Sequence, residues 1–440
     1  MIEEGNTAKE VEPSAEVGAG VPPTVKEEAD AAGPWVVVRA LRHRDYRLFL
    51  TGAFLSNIGS WLQGVAEGYL IYYITHSKAL LGTMAFFNTI PVLILGPLAG
   101  VAADRLHRKT ILIASQIVFL CTTGTLALLV ITLGVHGLKP WHLLTLAAIS
   151  GVAAAFNGPA YQSLTVEFVG PEDLMNAVAL NSMQFNLSRI VGGLTGGFVY
   201  AWLGPAWCFG LNSLSFLAVI AALLMVRIRP PSARARSVTV WRNFTSGMKF
   251  LAKEPDLLAI VGMAAAVTVF AIPYFTMLPA FAVDVLHGDS RMQSLLLTAI
   301  GVGALMAAYT QAMEQEGNGM GLRMLVSMAV LSISLMIFSL SSMLTLSLVA
   351  LVGSGAAMVG FMTTANTAMQ LLVPDHMRGR LMGVFVMAAF GLSPIGSLLM
   401  GLLAQRVGAP YALFTGAAIC GILTAIVSVA FPKVRGISSR

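Results

Sequence analysis

From about residue 48 to its end the chain is a succession of apolar stretches. Each approaches or exceeds the roughly 20 residues that a helix needs to cross a ~30 Å hydrocarbon layer. They fall at 48–74, 80–103, 110–134, 142–165, 176–203 and 206–226, and then at 257–283, 294–313, 322–341, 344–372, 381–405 and 409–431. Two joins, Gly204–Pro205 and Ser341–Ser342, are so short that the helices on either side must be antiparallel neighbours. Composition agrees with lipid as the solvent. Hydrophobic residues make up 56% of the 440 and charged residues 11%, against about 25% charged in a soluble domain. The expected fold is an all-α membrane protein with twelve transmembrane helices in two six-helix, pseudo-symmetric bundles.

The polar stretch 227–256 lies between the sixth and seventh segments and carries Arg227, Arg229, Arg234, Arg236, Arg242, Lys249 and Lys253, with Pro230 and Pro231 ending the sixth helix. It reads as a basic cytoplasmic linker between a first bundle at 39–226 and a second at 257–431. Residues 1–38 read as a disordered acidic tail, and 432–440 as a short tail. Within 1–33, eight acids face only Lys9 and Lys26, a composition that cannot build a core. With the N-terminus inside the cell, twenty Lys and Arg residues flank the helices on the cytoplasmic side. Lys78, Lys139, Arg291 and Arg406 are the four on the other side. The positive-inside rule therefore places both termini in the cytoplasm, and the excess of basic residues belongs to loops rather than to a nucleic-acid surface. A weak internal echo, Val169-Gly-Pro-Glu-Asp173 and Leu372-Val-Pro-Asp-His376, recurs at corresponding places in the two halves, as repeated transporter halves do.

Charged residues inside the apolar stretches are few, and each is costly unless it faces a cavity or a partner. Glu67 lies deep in the first helix. Asn57, Ser60, Gly64 and Glu67 share one helical face, with Gln63 beside it. Glu67 reads either as a proton- or cation-binding carboxylate or as a structural one bonded between helices. Arg189 is the one deep basic residue and shares a face with Ser182, Asn186 and Gly193. It reads as a site for an anionic group, as a partner of Glu67, or as a structural residue. Counted from residue 176 it lies about 20 Å into its helix, too deep for easy snorkelling. Asn157, Tyr161 and Gln162 mark the fourth segment; Thr363, Asn366, Thr367 and Gln370 mark the tenth at helical spacing. Either the interface between halves or interhelical bonding accounts for them. Phe270, Tyr274, Phe275 and Met277 around Pro273 form an aromatic and sulfur-rich patch suited to an amphipathic organic molecule, or to ordinary packing. Cys121, Cys208 and Cys420 sit in apolar runs and read as buried hydrophobes. The histidines show no metal pattern, no Walker-type loop appears, and no catalytic constellation stands out. No enzyme, metal, cofactor or nucleic-acid role is expected.

The loop after the second segment reads Gly100-Val-Ala-Ala-Asp104-Arg105-Leu-His-Arg108-Lys109. A basic loop accounts for the arginines. It does not account for Gly100, which admits a close helix, or for Asp104, a carboxylate at a helix C-terminus, where the dipole disfavours it and Arg105 and Arg108 are at hand as partners. On this signature the chain resembles the major facilitator superfamily. The resemblance implies that Gly100, Asp104, Arg105, Arg108 and Lys109 form a cytoplasmic latch between the halves. The matching loop of the second half, Gln311 to Gly319, carries no Asp-Arg pair. The opening Leu41-Arg42-His43-Arg44-Asp45-Tyr46-Arg47, followed by Ser56-Asn57-Ile58-Gly59-Ser60-Trp61, is similar to the branch that holds enterobactin exporters and macrolide efflux proteins. That branch usually has Gly-Pro where this chain has Gly192-Gly193. The resemblance implies a monomeric secondary transporter of the inner membrane, meeting lipid and protons and exporting a small amphipathic molecule. Import or lipid transfer on the same fold, and a non-transporting receptor or scaffold, are the alternatives.

Overall fold

The computed structural model describes residues 39–226, 240–313 and 319–437. The acidic tail at 1–38, the linker arginines 227, 229, 234 and 236, Glu314, Glu316 and Arg440 lie outside the described residues. The first bundle comprises α1 (Arg44–Thr75), α2 (Lys78–Arg105), α3 (Arg108–Gly137), α4 (Pro140–Gly170), α5 (171–203) and α6 (Pro205–Met225). A short helix α7 (Val240–Leu251) precedes the second bundle, which comprises α8 (Pro255–Val285), α9 (Ser290–Met313), α10 (Met320–Leu340), α11 (Leu344–Leu372), α12 (Asp375–Val407) and α13 (Ala409–Ala430). These are the twelve antiparallel spans of the expected fold.

Ten of the described helices are long and apolar enough to span a membrane on hydropathy alone. The two that fall short are α1 and α5, the helices that carry Glu67 and Arg189. Polarity is thus concentrated on two elements, which pack on each other. Gly192 and Gly196 of α5 lie directly on the α1 backbone, where a Cβ at Gly196 would sit 3.1 Å from Leu62 Cα. Small residues permit this closeness, and dispersion then holds the pair.

The structure departs from the sequence-based boundaries in several places, among them α12, which starts at Asp375 rather than 381. α4 does not stop near 165. It runs to Gly170, whose φ of 71° makes a single-residue break, and α5 starts at once. A residue with a Cβ is strained at that φ. Arg189 therefore lies further along its helix than a start at 176 implied. The region 227–256 is not all linker. Its described part contains α7, whose Gly247 packs on Arg380 and Val384 of α12, and α8 begins at Pro255. The end of the chain is also structured: Pro432–Arg435 is helical, and Ile437 O accepts from Gly321 N at the start of α10.

The face holding the start of α1, the 105–108 turn and the 432–437 segment is termed here the terminal face; the opposite one is the far face. α8 and α12 are each divided by a wide, π-helical turn, at Val267–Ala271 and Met387–Gly391. The two turns meet, and Thr268 Oγ1 donates across to Ala389 O (2.7 Å). The far-face halves of α8 and α12 pack against α1 and α2 of the first bundle, whereas the terminal-face halves, Pro255–Ala266 and Arg378–Val386, pack chiefly within their own bundle.

Candidate functional site

Glu67 is buried, 8% exposed. Its one described hydrogen bond comes from Gln63 Nε2, one turn earlier, at 3.4 Å. Gln63 is a hub. Its Oε1 accepts from Thr123 Oγ1 of α3 (3.0 Å) and from Asn212 Nδ2 of α6 (2.5 Å). Three helices of the first bundle thus converge on one amide that presents a donor to the carboxylate. On the other side of α1, Gly68 meets Pro279 of α8, and Gln293 Nε2 of α9 donates to Val65 O (3.3 Å). Glu67 sits at the level where the bundles join. Along the same face Asn57 reaches Gln184 of α5 (3.4 Å), while Ser60 and Gly64 are exposed.

Arg189 occupies the seam between bundles. Its Nε lies beside Gly301 of α9, and its guanidinium sits 6.0 Å from the centre of the Trp61 ring. Nη2 donates to Asn186 Oδ1 (2.9 Å). No ion pair joins it to Glu67, so pairing with that acid is not what holds either residue here. Tyr274 is wholly buried, within electrostatic reach of Arg189. Asn157 and Tyr161 serve the interior of the first bundle: Asn157 accepts from Gln116 (3.2 Å), and Tyr161 donates to Asn181 (2.6 Å). The stripe on α11 is divided. Thr363 and Thr367 line a cavity of some 660 Å³ between α9, α10 and α11, while Asn366 is half-buried and Gln370 exposed.

The loop signature is open. Asp104 and Arg105 are exposed, and nothing approaches the place where a Cβ on Gly100 would stand. The expected pairing of Asp104 with Arg108 is replaced: Arg108 reaches Glu167 of α4 (3.3 Å), inside its own bundle. Lys109 caps α6 by donating to Val226 O (2.9 Å).

The far face, by contrast, is bolted. Asp284 at the end of α8 pairs with Lys78 of α2 (2.7 Å) and accepts from Tyr72 of α1 (2.6 Å). Gln405 of α12 accepts from the backbone N–H of Lys78 (2.8 Å), a helix-start donor. Gly82 of α2 and Gly401 of α12 approach until a Cβ on Gly82 would stand 2.9 Å from Gly401 Cα. Ser294 and Ser290 of α9 exchange hydrogen bonds with the α5 backbone at Gly193 and Gly197. Sequence reasoning counted Lys78 only as a loop charge and passed over Tyr72, Asp284, Gln405 and Ser294. Asp284 falls one residue past the expected end of its segment and reads there as a helix-end charge. Outside the spans, Asp289 is held below the usual carboxylate range, chiefly by its hydrogen bond from the Arg291 side chain (2.8 Å).

Two six-helix bundles in close contact at one face, with the loop signature exposed at the other and polar side chains gathered on α1 and α5 at the seam, are the architecture of a secondary transporter of the major facilitator type. The family model described as a transmembrane secretion effector, MFS_3, matches residues 36–439, and the chain belongs to that family. It is 27% identical over 404 residues to the multidrug efflux pump Tap of Mycolicibacterium fortuitum, covering 88% of this chain and 96% of that protein. It is 25% identical over 368 residues to the enterobactin exporter EntS of Citrobacter koseri, covering 82% and 85%. Among solved structures it resembles the nucleoside transporter NupG, with a TM-score of 0.68 at 14% identity over 89% of this chain and 98% of that one. It also resembles a D-xylose–proton symporter, at 0.66 and 13% over 90% and 99%. These two likenesses speak to the fold alone.

Proposed function

We propose that this protein exports an amphipathic small molecule across the inner membrane by alternating access, driven by protons, and that the conformation described is the inward-open one. The observation that carries this reading is the asymmetry of the seam. The far face is closed by the Lys78–Asp284–Tyr72 cluster and by backbone contact at Gly82 and Gly197, while the Asp104 latch is undone. With both termini in the cytoplasm, as the Lys and Arg distribution requires, the open side faces the cell interior. The units that rock are 39–226 and 257–431, with the second bundle's boundary drawn back to 255. The cargo of the relatives, drugs in one and a siderophore in the other, supports export of drug- or siderophore-like molecules.

Glu67 is the coupling carboxylate in this scheme. Protonation removes its charge, and the two access states then differ in how they hold it. The working form is a monomer in direct contact with lipid. Import on the same fold would use the same elements; direction is decided by vesicle orientation. The test is uptake of a panel of fluorescent amphipaths into inside-out vesicles, with and without a pH gradient. Gradient-dependent accumulation that a protonophore abolishes supports the reading. Accumulation only in right-side-out vesicles, or none for any compound, counts against it.

A further inference from the structure

Arg189 is an uncompensated cation at the level of the membrane core. Among the described residues it makes no ion pair, and its one hydrogen bond to protein is to the neutral Asn186 (2.9 Å). Its Nε is buried and without a partner. Across the seam the Tyr274 hydroxyl has an acceptor at hand: Ser354 beside it donates to Leu351 O (2.9 Å) and keeps its own oxygen free to accept. Arg189 Nε remains a buried donor that the protein supplies with no acceptor. Buried donors are rarely left so, because each costs the full desolvation of the group.

The surroundings say what sort of acceptor fits. Trp61 flanks the guanidinium, and Phe185, itself 45% exposed, meets Trp61 edge-on at 5.8 Å. An aromatic wall takes an apolar body, and a guanidinium fork takes an oxyanion in two parallel hydrogen bonds. A cationic amphipath finds no such counterpart: Glu67 is buried and turned toward Gln63 in its own bundle.

We propose that Arg189 anchors the oxyanion of an amphipathic anionic cargo, a carboxylate or a group of like charge and shape, against the Trp61–Phe185 wall. This rests on the export reading and narrows it to a class of molecule. Arg189 as a whole is half-buried rather than sealed, which leaves it within reach of a solute.

The experiment uses the full chain in phosphatidylcholine nanodiscs and two probes that differ only in charge, 1-pyrenebutyrate and its methyl ester. Binding is read from tryptophan-to-pyrene energy transfer. Wild type binds the carboxylate at least about tenfold more tightly than the ester, the worth of one charge-assisted pair. Arg189→Gln removes the preference, and Arg189→Lys keeps part of it. Size-exclusion profiles and melting confirm that the variants fold. Equal affinity for the two probes, or an unaltered preference in Arg189→Gln, overturns the proposal. Displacement of pyrenebutyrate by phosphatidylglycerol in the disc assigns the oxyanion site to a lipid headgroup and overturns its assignment to a solute. Export of the ester and of a pyrenebutyl trimethylammonium salt by wild-type proteoliposomes judges the export reading separately. A wild type that moves those probes yet shows no carboxylate preference loses Arg189 as anchor but remains an exporter.

Discussion

Asp284→Asn should release the far face. Asp284 is the acid shared by Lys78 Nζ at 2.7 Å and Tyr72 OH at 2.6 Å. The substitution preserves shape and removes charge. The Lys78 and Asp284 side chains are 19% and 35% exposed, so the ion pair is partly screened and is worth roughly 0.5–1 kcal/mol. The Tyr72 bond changes from charge-assisted to neutral, a loss of about 1 kcal/mol. Together these weaken the closed far face by about 1.5–2 kcal/mol, or a roughly tenfold to thirtyfold shift toward far-face opening. The readout is the spin-label distance between Lys139→Cys and Ser342→Cys, exposed far-face positions on the two bundles, in a background lacking Cys121, Cys208 and Cys420. The variant should gain a longer-distance population in the absence of substrate. An unchanged distribution would refute the assignment of this cluster as the outer bolt, as would strict additivity of Lys78→Ala and Asp284→Ala, since coupled partners must show an interaction energy.

Other consequences follow from the same geometry. Gly82→Ala places a methyl group against the backbone at Ser397 and Gly401; overpacking of about 1–3 kcal/mol should disfavour far-face closure and slow transport, while detergent melting of the folded bundles changes little. Gln63→Leu orphans Thr123 and Asn212 and strips Glu67 of its donor; at about 1–3 kcal/mol for each buried orphan, the melting temperature should fall by several degrees. Asp104→Asn should leave stability in this state unchanged, because Asp104 is exposed here, yet reduce turnover if the latch forms when the cavity faces outward.

What the sequence made legible was what period and length encode. Spanning helices follow from apolar run length, so nine of the twelve spans lie within four residues of the expected bounds at both ends, and Gly204–Pro205 is a tight antiparallel join as expected. The fourth and fifth helices blurred because Gly170 alone separates them, and one residue in left-handed geometry leaves no compositional gap. Glu67 and Arg189 were visible because charge within an apolar run is rare. Their partners were not. Gln63 was seen only as a neighbour of Glu67, and its bonds to Thr123 and Asn212 join residues 60 and 149 positions away, which no local pattern announces. The far-face bolt was missed for a like reason. Lys78 and Asp284 look like ordinary helix-end charges until the fold brings them together, and Ser290 and Ser294 acquire a role only because Gly193 and Gly197 bring the α5 backbone within their reach.

The central claim, that movement of cargo is coupled to a proton through Glu67, is tested most directly by following protons themselves. Proteoliposomes with trapped pyranine are given a transported amphipath on one side only, with no imposed pH gradient. Wild type should shift the lumenal pH as cargo crosses, and Glu67→Gln, correctly folded, should carry cargo down its gradient with no pH change. A proton flux of wild-type size in Glu67→Gln, or cargo flux in wild type without any proton movement, would contradict the account.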